Sequence, residues 1–167
     1  TSARASARSV EHSHPGFAPA PGVGGAKRGS ILNVVLGYRY LHGAVLGADP
    51  DQEVVPDALR LNGDPGTRAP HLWIRRGGER ISTLDLYERS LVLLSDARSA
   101  TDWHTAARRI ADADGTRLVS YRFGTELTYA PQDDGPDAAP DWARAHGTTA
   151  DGAVLVRPDG FVAWRAA

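Results

Sequence analysis

The sequence has 167 residues, enough for one ordinary domain with its own apolar core. Its 19 Lys and Arg residues nearly balance 20 Asp and Glu residues, and the net charge of -1 argues against binding nucleic acid or anionic membranes through a broad field. The absence of cysteine excludes disulfides, thiolate metal ligands and cysteine nucleophiles. Because the sequence starts at Thr1 and has no apolar run of about 18 residues, we expect a cytoplasmic piece of a longer chain.

Residues 1–30 differ in composition from the rest of the chain. They are rich in Ala, Ser, Gly, Pro and Arg and hold only three larger apolar side chains, too few to offset the entropy lost on ordering. This composition predicts a flexible tail or linker. An apolar run of strand length, Ile31 to Leu36, follows and leads into Tyr38, Arg39 and Tyr40. The run predicts a strand.

The next part combines a long irregular connection with a hairpin. Residues 47–70 are rich in Gly, Asp and Pro, which indicates turns and extended chain. Leu72 to Ile74 and Ile81 to Leu86 flank Gly77-Gly78, an arrangement typical of a hairpin. The continuous apolar run Leu91 to Leu94 predicts a central strand that is covered on both faces.

A clear helical pattern follows the central strand. Apolar side chains recur at spacings of three, four, seven and eight: Trp103, Ala106, Ala107, Ile110 and Ala111. Thr101 or Asp102 is the predicted N-cap, and Gly115 lies just beyond the end. The pattern predicts one helix with this apolar face against the sheet.

The last third predicts a strand, a short helix and a hairpin. Val119, Tyr121 and Phe123 alternate with polar residues as in a strand, and the segment from Pro140 to Gly147 reads as a short helix. The turn 157–160, Arg-Pro-Asp-Gly, joins two apolar runs into a hairpin.

From residue 90 the order is therefore strand, helix, strand, helix, strand, strand, an α/β pattern typical of a thioredoxin-like core. We predict a four-stranded sheet with these side chains buried between the layers: Val92, Leu93, Val119, Tyr121, Val154 and Leu155. The predicted organisation is a tail over 1–30, an extension over 31–89 that closes one face of the sheet, and a core over 90–167. Trp164 completes the core in this prediction.

Four segments carry a resemblance to a known family. They are Gly66-Thr-Arg-Ala-Pro-His71, Ser82-Thr-Leu-Asp-Leu86, Leu91-Val-Leu-Leu94, and the run 152–165 with its Arg-Pro-Asp-Gly turn and final Trp-Arg. Together they resemble the carboxy-terminal tail of flavin-dependent hydroxylases that act on aromatic polyketides, a family related to the phenol hydroxylases. The stretch 36–40 resembles the segment just before that tail.

The resemblance implies that the flavin chemistry lies elsewhere in a parent enzyme. Such an enzyme uses FAD, NADPH and dioxygen, and the motifs that hold FAD belong to parts absent from this sequence. The resemblance therefore assigns no catalytic, cofactor or metal residue here, and implies as partners the FAD-binding and substrate domains of the parent chain, with a homodimer left open. The alternative is a free-standing thioredoxin-like binding module without redox activity.

Other motifs do not support a chemical site. Residues 95–103 contain no thiols where a thioredoxin would carry Cys-x-x-Cys, which excludes disulfide exchange. The glycines between 22 and 29 match no nucleotide-binding loop, and Gly63-Asp64 lacks the preceding buried strand of a flavin-contacting motif. His12 and His14 form an incomplete metal shell, and we expect His104 and His146 to be solvated surface residues.

Several polar and aromatic residues remain as candidates. We predict that they either tie the extension to the sheet and the neighbouring domain or line an approach for substrate or flavin: Tyr38, Arg39, Tyr40, Arg68, His71, Trp73 and Asp85. The four tryptophans of the chain are predicted to be core or interface anchors because an indole buries a large area.

Overall fold

A computed structural model describes residues 31–130 and 142–167. Its elements are α1 (Ile31–Gly37), β1 (Trp73–Arg76), β2 (Glu79–Ser82), a 3-10 helix (Thr83–Leu86), β3 (Leu91–Asp96), α2 (Trp103–Asp114), β4 (Leu118–Phe123), β5 (Thr128–Tyr129), α3 (Trp142–Ala145), β6 (Ala153–Val156) and β7 (Val162–Ala166). No helix in this described part is long and apolar enough to cross a membrane. The predicted tail, His12, His14 and the first glycine cluster lie outside the described residues.

Four strands form the central sheet in the order β4-β3-β6-β7. β3 and β4 are parallel and are joined through α2, whereas β6 is antiparallel to both of its neighbours. β3 is buried from Val92 to Asp96, as expected for a strand covered on both faces. This arrangement confirms the predicted thioredoxin-like core.

The two faces of the sheet carry separate apolar clusters because successive side chains of a strand point to opposite sides. Leu93 and Ala153 meet Ala107 of α2 on one face, with Trp103 and Trp164 packed at the edge of this cluster. On the other face a larger cluster combines sheet residues with residues from the part of the chain before β3: Ala69, Leu72, Ile74, Leu86 and Tyr87.

Five of the six side chains predicted to lie between the layers are buried or half-buried, and one is not. Three of the six side chains are buried and two are half-buried: Val92, Leu93 and Val154, then Tyr121 and Leu155. Val119 is 41% exposed, so its predicted burial is wrong. It lies on β4, one of the two edge strands of this sheet.

α2 has the predicted bounds but a different buried face. Its N-cap Asp102 accepts a hydrogen bond from the Thr105 amide, and Gly115 ends it with φ of 69°. Ala107 is buried as predicted, but Ala106 and Ile110 are exposed, so that part of the predicted face is wrong. The helix is instead turned so that His104 faces the sheet, where Nδ1 lies 2.6 Å from the Ser120 hydroxyl. His104 is therefore half-buried, not the solvated residue that the sequence predicts.

A smaller antiparallel sheet, in the order β2-β1-β5, contains the predicted hairpin. Gly77 and Gly78 both have positive φ, 59° and 90°, as a tight two-residue hairpin turn requires. The second arm is shorter than predicted because Ser82 and Asp85 form a capping box that starts the 3-10 helix.

The predicted strand over 31–36 is wrong, because these residues form helix α1. The side chain of Asn33 donates hydrogen bonds to the carbonyl oxygens of Pro56 and Asp57, which anchors the helix to the following loop. A short apolar run fits a strand or a buried helix equally well, and tertiary contacts decide between them.

His146 is buried, so its predicted place at the surface is also wrong. Nδ1 lies 2.9 Å from the Trp142 carbonyl oxygen one turn earlier, which fits donation from Nδ1–H. Gly63 packs directly on its backbone, and Arg165 donates to its carbonyl oxygen at 3.0 Å. Burial lowers the pKa of His146 to about 4. The residue is thus neutral at neutral pH.

The four tryptophans differ in burial. Trp142 is fully buried and stacks on Phe123 with 5.3 Å between ring centroids. Trp103 and Trp164 form a half-buried pair at 5.7 Å, and Trp73 is largely at the surface. Only Trp142 is therefore a central core anchor.

Candidate domain-contact site

Three of the predicted contact residues meet at the turn between β6 and β7. The guanidinium of Arg68 lies 4.8 Å from the ring centroid of Phe161 and 5.6 Å from that of Tyr38. Tyr40 packs edge-on against Phe161 at 4.8 Å, and Arg157 covers the Tyr40 ring at 4.6 Å. We call these five residues the arginine–aromatic cluster. Cation–π contacts of this kind favour a fixed placement of the rings.

Backbone hydrogen bonds place Arg68 beside the hairpin. The Gly66 amide donates to the Val162 carbonyl, and the Val162 amide donates back to Thr67, both at 2.8 Å. Ala69 donates to the Gly160 carbonyl at 2.8 Å. The segment 66–69 therefore runs along the hairpin as an added strand-like edge, which brings the Arg68 side chain over Phe161.

Gly66 also fixes the tyrosine segment. The Tyr40 amide donates to the Gly66 carbonyl at 2.8 Å. Gly66 has φ of 85°, and a Cβ at this position would collide with the Tyr40 carbonyl oxygen. Glycine is thus required both by backbone conformation and by close approach.

The cluster keeps the Tyr38 phenol neutral. Burial, followed by the neighbouring Tyr40 hydroxyl, raises the pKa of Tyr38, while Arg68 opposes that rise. An already weak acid thus becomes weaker, so the Tyr38 phenol does not act as a base at neutral pH.

A half-open cleft of about 430 Å³ lies next to the cluster. Its lining is mainly apolar, with Arg68, His71, Glu88 and Asp159 as charged or polar groups among these residues: Leu36, Leu61, Arg68, Ala69, His71, Leu84, Tyr87, Glu88, Pro158, Asp159 and Gly160. Its volume and character fit an apolar side chain or a small ligand.

The other predicted residues lie apart from the cluster. The His71 ring meets Trp73 edge-on at 4.9 Å, and Arg80 covers the Trp73 ring at 4.4 Å. Arg39 bonds to the side chain of Gln52, and Asp85 accepts from the Ser82 amide at 2.8 Å as part of the capping box. Asp85 therefore has a local structural role.

Sequence reasoning did not single out Phe161 and Arg157 as contact residues. Both belong to the Arg-Pro-Asp-Gly-Phe segment, which the sequence identifies as a turn motif. The sequence signal that could have identified them as contact residues is the cation and the aromatic ring on either side of the Pro-Asp-Gly turn. Among residues 31–130 and 142–167, no group of three or more metal-binding side chains comes together.

Comparison with known proteins matches the fold and most of the chain to one family. The family model described as aromatic-ring hydroxylase, C-terminal, matches residues 62–167. The chain is 61% identical, over 99% of its length, to a Streptomyces halstedii protein whose name marks it as a proposed polyketide hydroxylase, and it covers 30% of that protein. It is 43% identical to the tetracenomycin A2 monooxygenase-dioxygenase of Streptomyces glaucescens, over 84% of this chain and 24% of that one.

Solved structures agree with this match. Aklavinone-11 hydroxylase, in a ternary complex with FAD and aklavinone, is 39% identical with a TM-score of 0.69, over 82% of this chain and 24% of that chain. The flavin-dependent monooxygenase PieE, in complex with FAD and substrate, is 33% identical with a TM-score of 0.60, over 80% of this chain and 23% of that chain. The chain thus spans less than two fifths of each of these relatives. It belongs to the family of aromatic-ring hydroxylase C-terminal domains.

Proposed function

We propose that this chain is the carboxy-terminal structural domain of a flavin-dependent monooxygenase that hydroxylates an aromatic polyketide with NADPH and dioxygen. The observation that carries the proposal is the family match over residues 62–167, together with 61% identity to a proposed polyketide hydroxylase. Such a domain contributes packing and is not catalytic in isolation.

FAD belongs to the rest of such an enzyme in this proposal. The first parallel crossover of a dinucleotide-binding domain has a glycine-rich turn that approaches the pyrophosphate. In the parallel crossover described here, from β3 to α2, the connecting residues 97–102 are Ala-Arg-Ser-Ala-Thr-Asp, without glycine. The solved relatives with FAD are about four times as long as the segment that matches this chain, which leaves ample chain for a flavin domain.

The arginine–aromatic cluster supports a structural role. It joins three separate parts of the chain, at Tyr38–Tyr40, at Arg68 and at the hairpin turn, through ring and cation contacts. We infer that Arg68 and His71 stabilise the segment that leads into the core, and that the adjacent cleft faces the neighbouring domains.

A turnover experiment tests the proposal. The full-length protein should oxidise NADPH in the presence of an aromatic polyketide and transfer one atom of labelled dioxygen to the ring. The 167-residue chain should do neither. Turnover by the 167-residue chain alone would refute the proposal. So would a full-length protein whose product never contains the oxygen label.

The cleft favours one second candidate, a free-standing binding module. Its largely apolar lining with a few polar groups fits a small ligand. The gene upstream of Thr1 separates the two candidates: an in-frame dinucleotide-binding domain supports the hydroxylase, and a reading frame that starts near Thr1 supports the module.

A further inference from the structure

Helix α1 buries its polar side chain and exposes apolar ones, the reverse of an ordinary surface helix. Its one polar side chain, Asn33, is buried and bonds to the loop carbonyls of Pro56 and Asp57. The apolar side chains of Ile31, Val34 and Val35 are 77%, 51% and 53% exposed. A surface helix normally turns such residues inward, and a helix that is apolar all round is normally buried.

The apolar surface extends beyond the helix. Leu59 and Leu61 are also exposed, and Leu59 lies next to Gly37 at the end of α1. Leu61 and Leu36 in turn line the cleft beside the arginine–aromatic cluster. An extended apolar surface of this kind marks an interaction site.

Four observations indicate what covers the face. The family model for the carboxy-terminal domain begins at residue 62, so α1 and its loop precede that domain. The chain covers only 30% of its 61% identical relative, and the matched domain is by name carboxy-terminal, so most of such a protein precedes this part. α1 is the first described element and therefore the nearest to that preceding chain. Residues 1–30 offer only Val10, Phe17 and Val23 as larger apolar side chains.

We propose that the outer face of α1, formed by Ile31, Val34 and Val35, is the surface on which the preceding domains of the full-length hydroxylase pack. This proposal rests on the proposed function and adds the surface of contact. The helix acts as the junction between the carboxy-terminal domain and the flavin-bearing part. The Asn33 side chain anchors it to the loop at Pro56 and Asp57, and its apolar side chains contact the preceding domains.

A matched pair of substitutions in the full-length protein tests the surface. Val35 and Ile110 are both helical and both 53% exposed here, but Ile110 lies on α2, away from the junction. Val35→Glu should lower the melting midpoint by several degrees because it would place a charge in a buried contact. Ile110→Glu should leave the midpoint unchanged. In the unsubstituted full-length protein, the amides of residues 31–37 should exchange hydrogen at least ~10-fold more slowly than in the 167-residue chain.

Other results would overturn the proposal. Equal exchange rates in the two chains, or equal midpoints for the two variants, would show that the preceding domains do not cover α1. If light scattering instead shows a dimer of the 167-residue chain that Val35→Glu dissociates, while the full-length protein is unaffected, a second copy covers the face. A full-length protein without flavin would refute the proposed function, but the exchange comparison of the two chains would still decide the surface because it does not depend on bound flavin.

Discussion

At the scale of single residues, Arg68 acts through aromatic rings. Its guanidinium lies over Phe161 and near Tyr38, and its Nε is buried with no hydrogen-bond partner among the described residues. The side chain therefore contributes through cation–π contact and packing of its stem.

We expect Arg68→Ala to lower the free energy of unfolding by about 1 to 3 kcal/mol, since partly buried cation–π contacts and stem packing are lost together. Arg109→Ala is the matched control, because Arg109 is exposed on α2 and should change stability by less than about 0.5 kcal/mol. Urea unfolding of both variants measures the difference. Equal midpoints would show that the cluster does not stabilise the segment.

The burial of His146 makes the free energy of unfolding depend on pH. Its pKa is about 4 in the folded chain, against an ordinary value of 6.5, because burial disfavours the charged ring. Between these values the unfolded chain binds a proton that the folded chain does not. Stability therefore falls as the pH drops from 6.5 to 4, by up to about 1.4 kcal/mol per pH unit, and this contribution levels off below pH 4.

His146→Asn separates this effect from others, since its amide can still donate to the Trp142 carbonyl but does not titrate. The loss of stability between pH 6.5 and 4 should be shallower in the variant, whatever its absolute stability. Asp96 affects stability over a different pH range. Hydrogen bonds from Arg98 lower the pKa of Asp96 to about 2, so its contribution to the free energy of unfolding is lost only below pH 3.8, the ordinary pKa of an aspartate. Parallel pH profiles for wild type and variant would contradict the assignment to His146.

At the scale of elements, Trp142 and Trp164 should contribute differently to the stability of the fold. Trp142 is fully buried and stacked on Phe123, whereas Trp164 is half-buried beside Trp103. Trp142→Ala should cost about 3 to 5 kcal/mol, against a total stability of roughly 5 to 15, and leave the domain marginal or unfolded. Trp164→Ala should cost clearly less. Thermal melts would contradict this ranking if Trp164→Ala were the more damaging change.

Elements with local signals could be predicted from the sequence. α2 has a cap, a periodic face and a terminal glycine, and both hairpins have turn residues that fix their geometry. α1 could not be assigned, because a short apolar run does not distinguish strand from helix and the deciding contacts of Asn33 lie more than 20 residues away. The burial of His146 likewise depends on Gly63 and Arg165, which are distant in sequence.

The site was predictable only in part. Tyr38, Tyr40 and Arg68 could be selected as unusual polar and aromatic residues, but the pairing of segment 66–69 with the hairpin brings them together with Phe161. Such non-local pairing leaves no periodic signal in the sequence. Asp85 is predicted as a contact residue, but the Ser-Thr-Leu-Asp segment has the spacing of a capping box, a local signal that accounts for its contact with the Ser82 amide.

At the scale of the whole molecule, we propose that this domain supports an enzyme whose preceding domains carry out the chemistry. The described core is closed on both faces by its own residues, whereas α1 and its loop present apolar side chains outward. In the proposed enzyme this domain supplies a packed support and a junction, and the preceding domains supply flavin, substrate and chemistry. The 167-residue chain and the full-length enzyme should therefore differ in cofactor content.

Flavin content tests this account most directly. The full-length protein and the 167-residue chain are purified under the same conditions, and bound flavin per chain is measured by visible absorbance. The account predicts about one FAD per full-length chain and a colourless 167-residue chain, because a flavin site is built by glycine-rich turns and helix N-termini of the missing domains. A stoichiometric flavin absorbance in the purified 167-residue chain would contradict it.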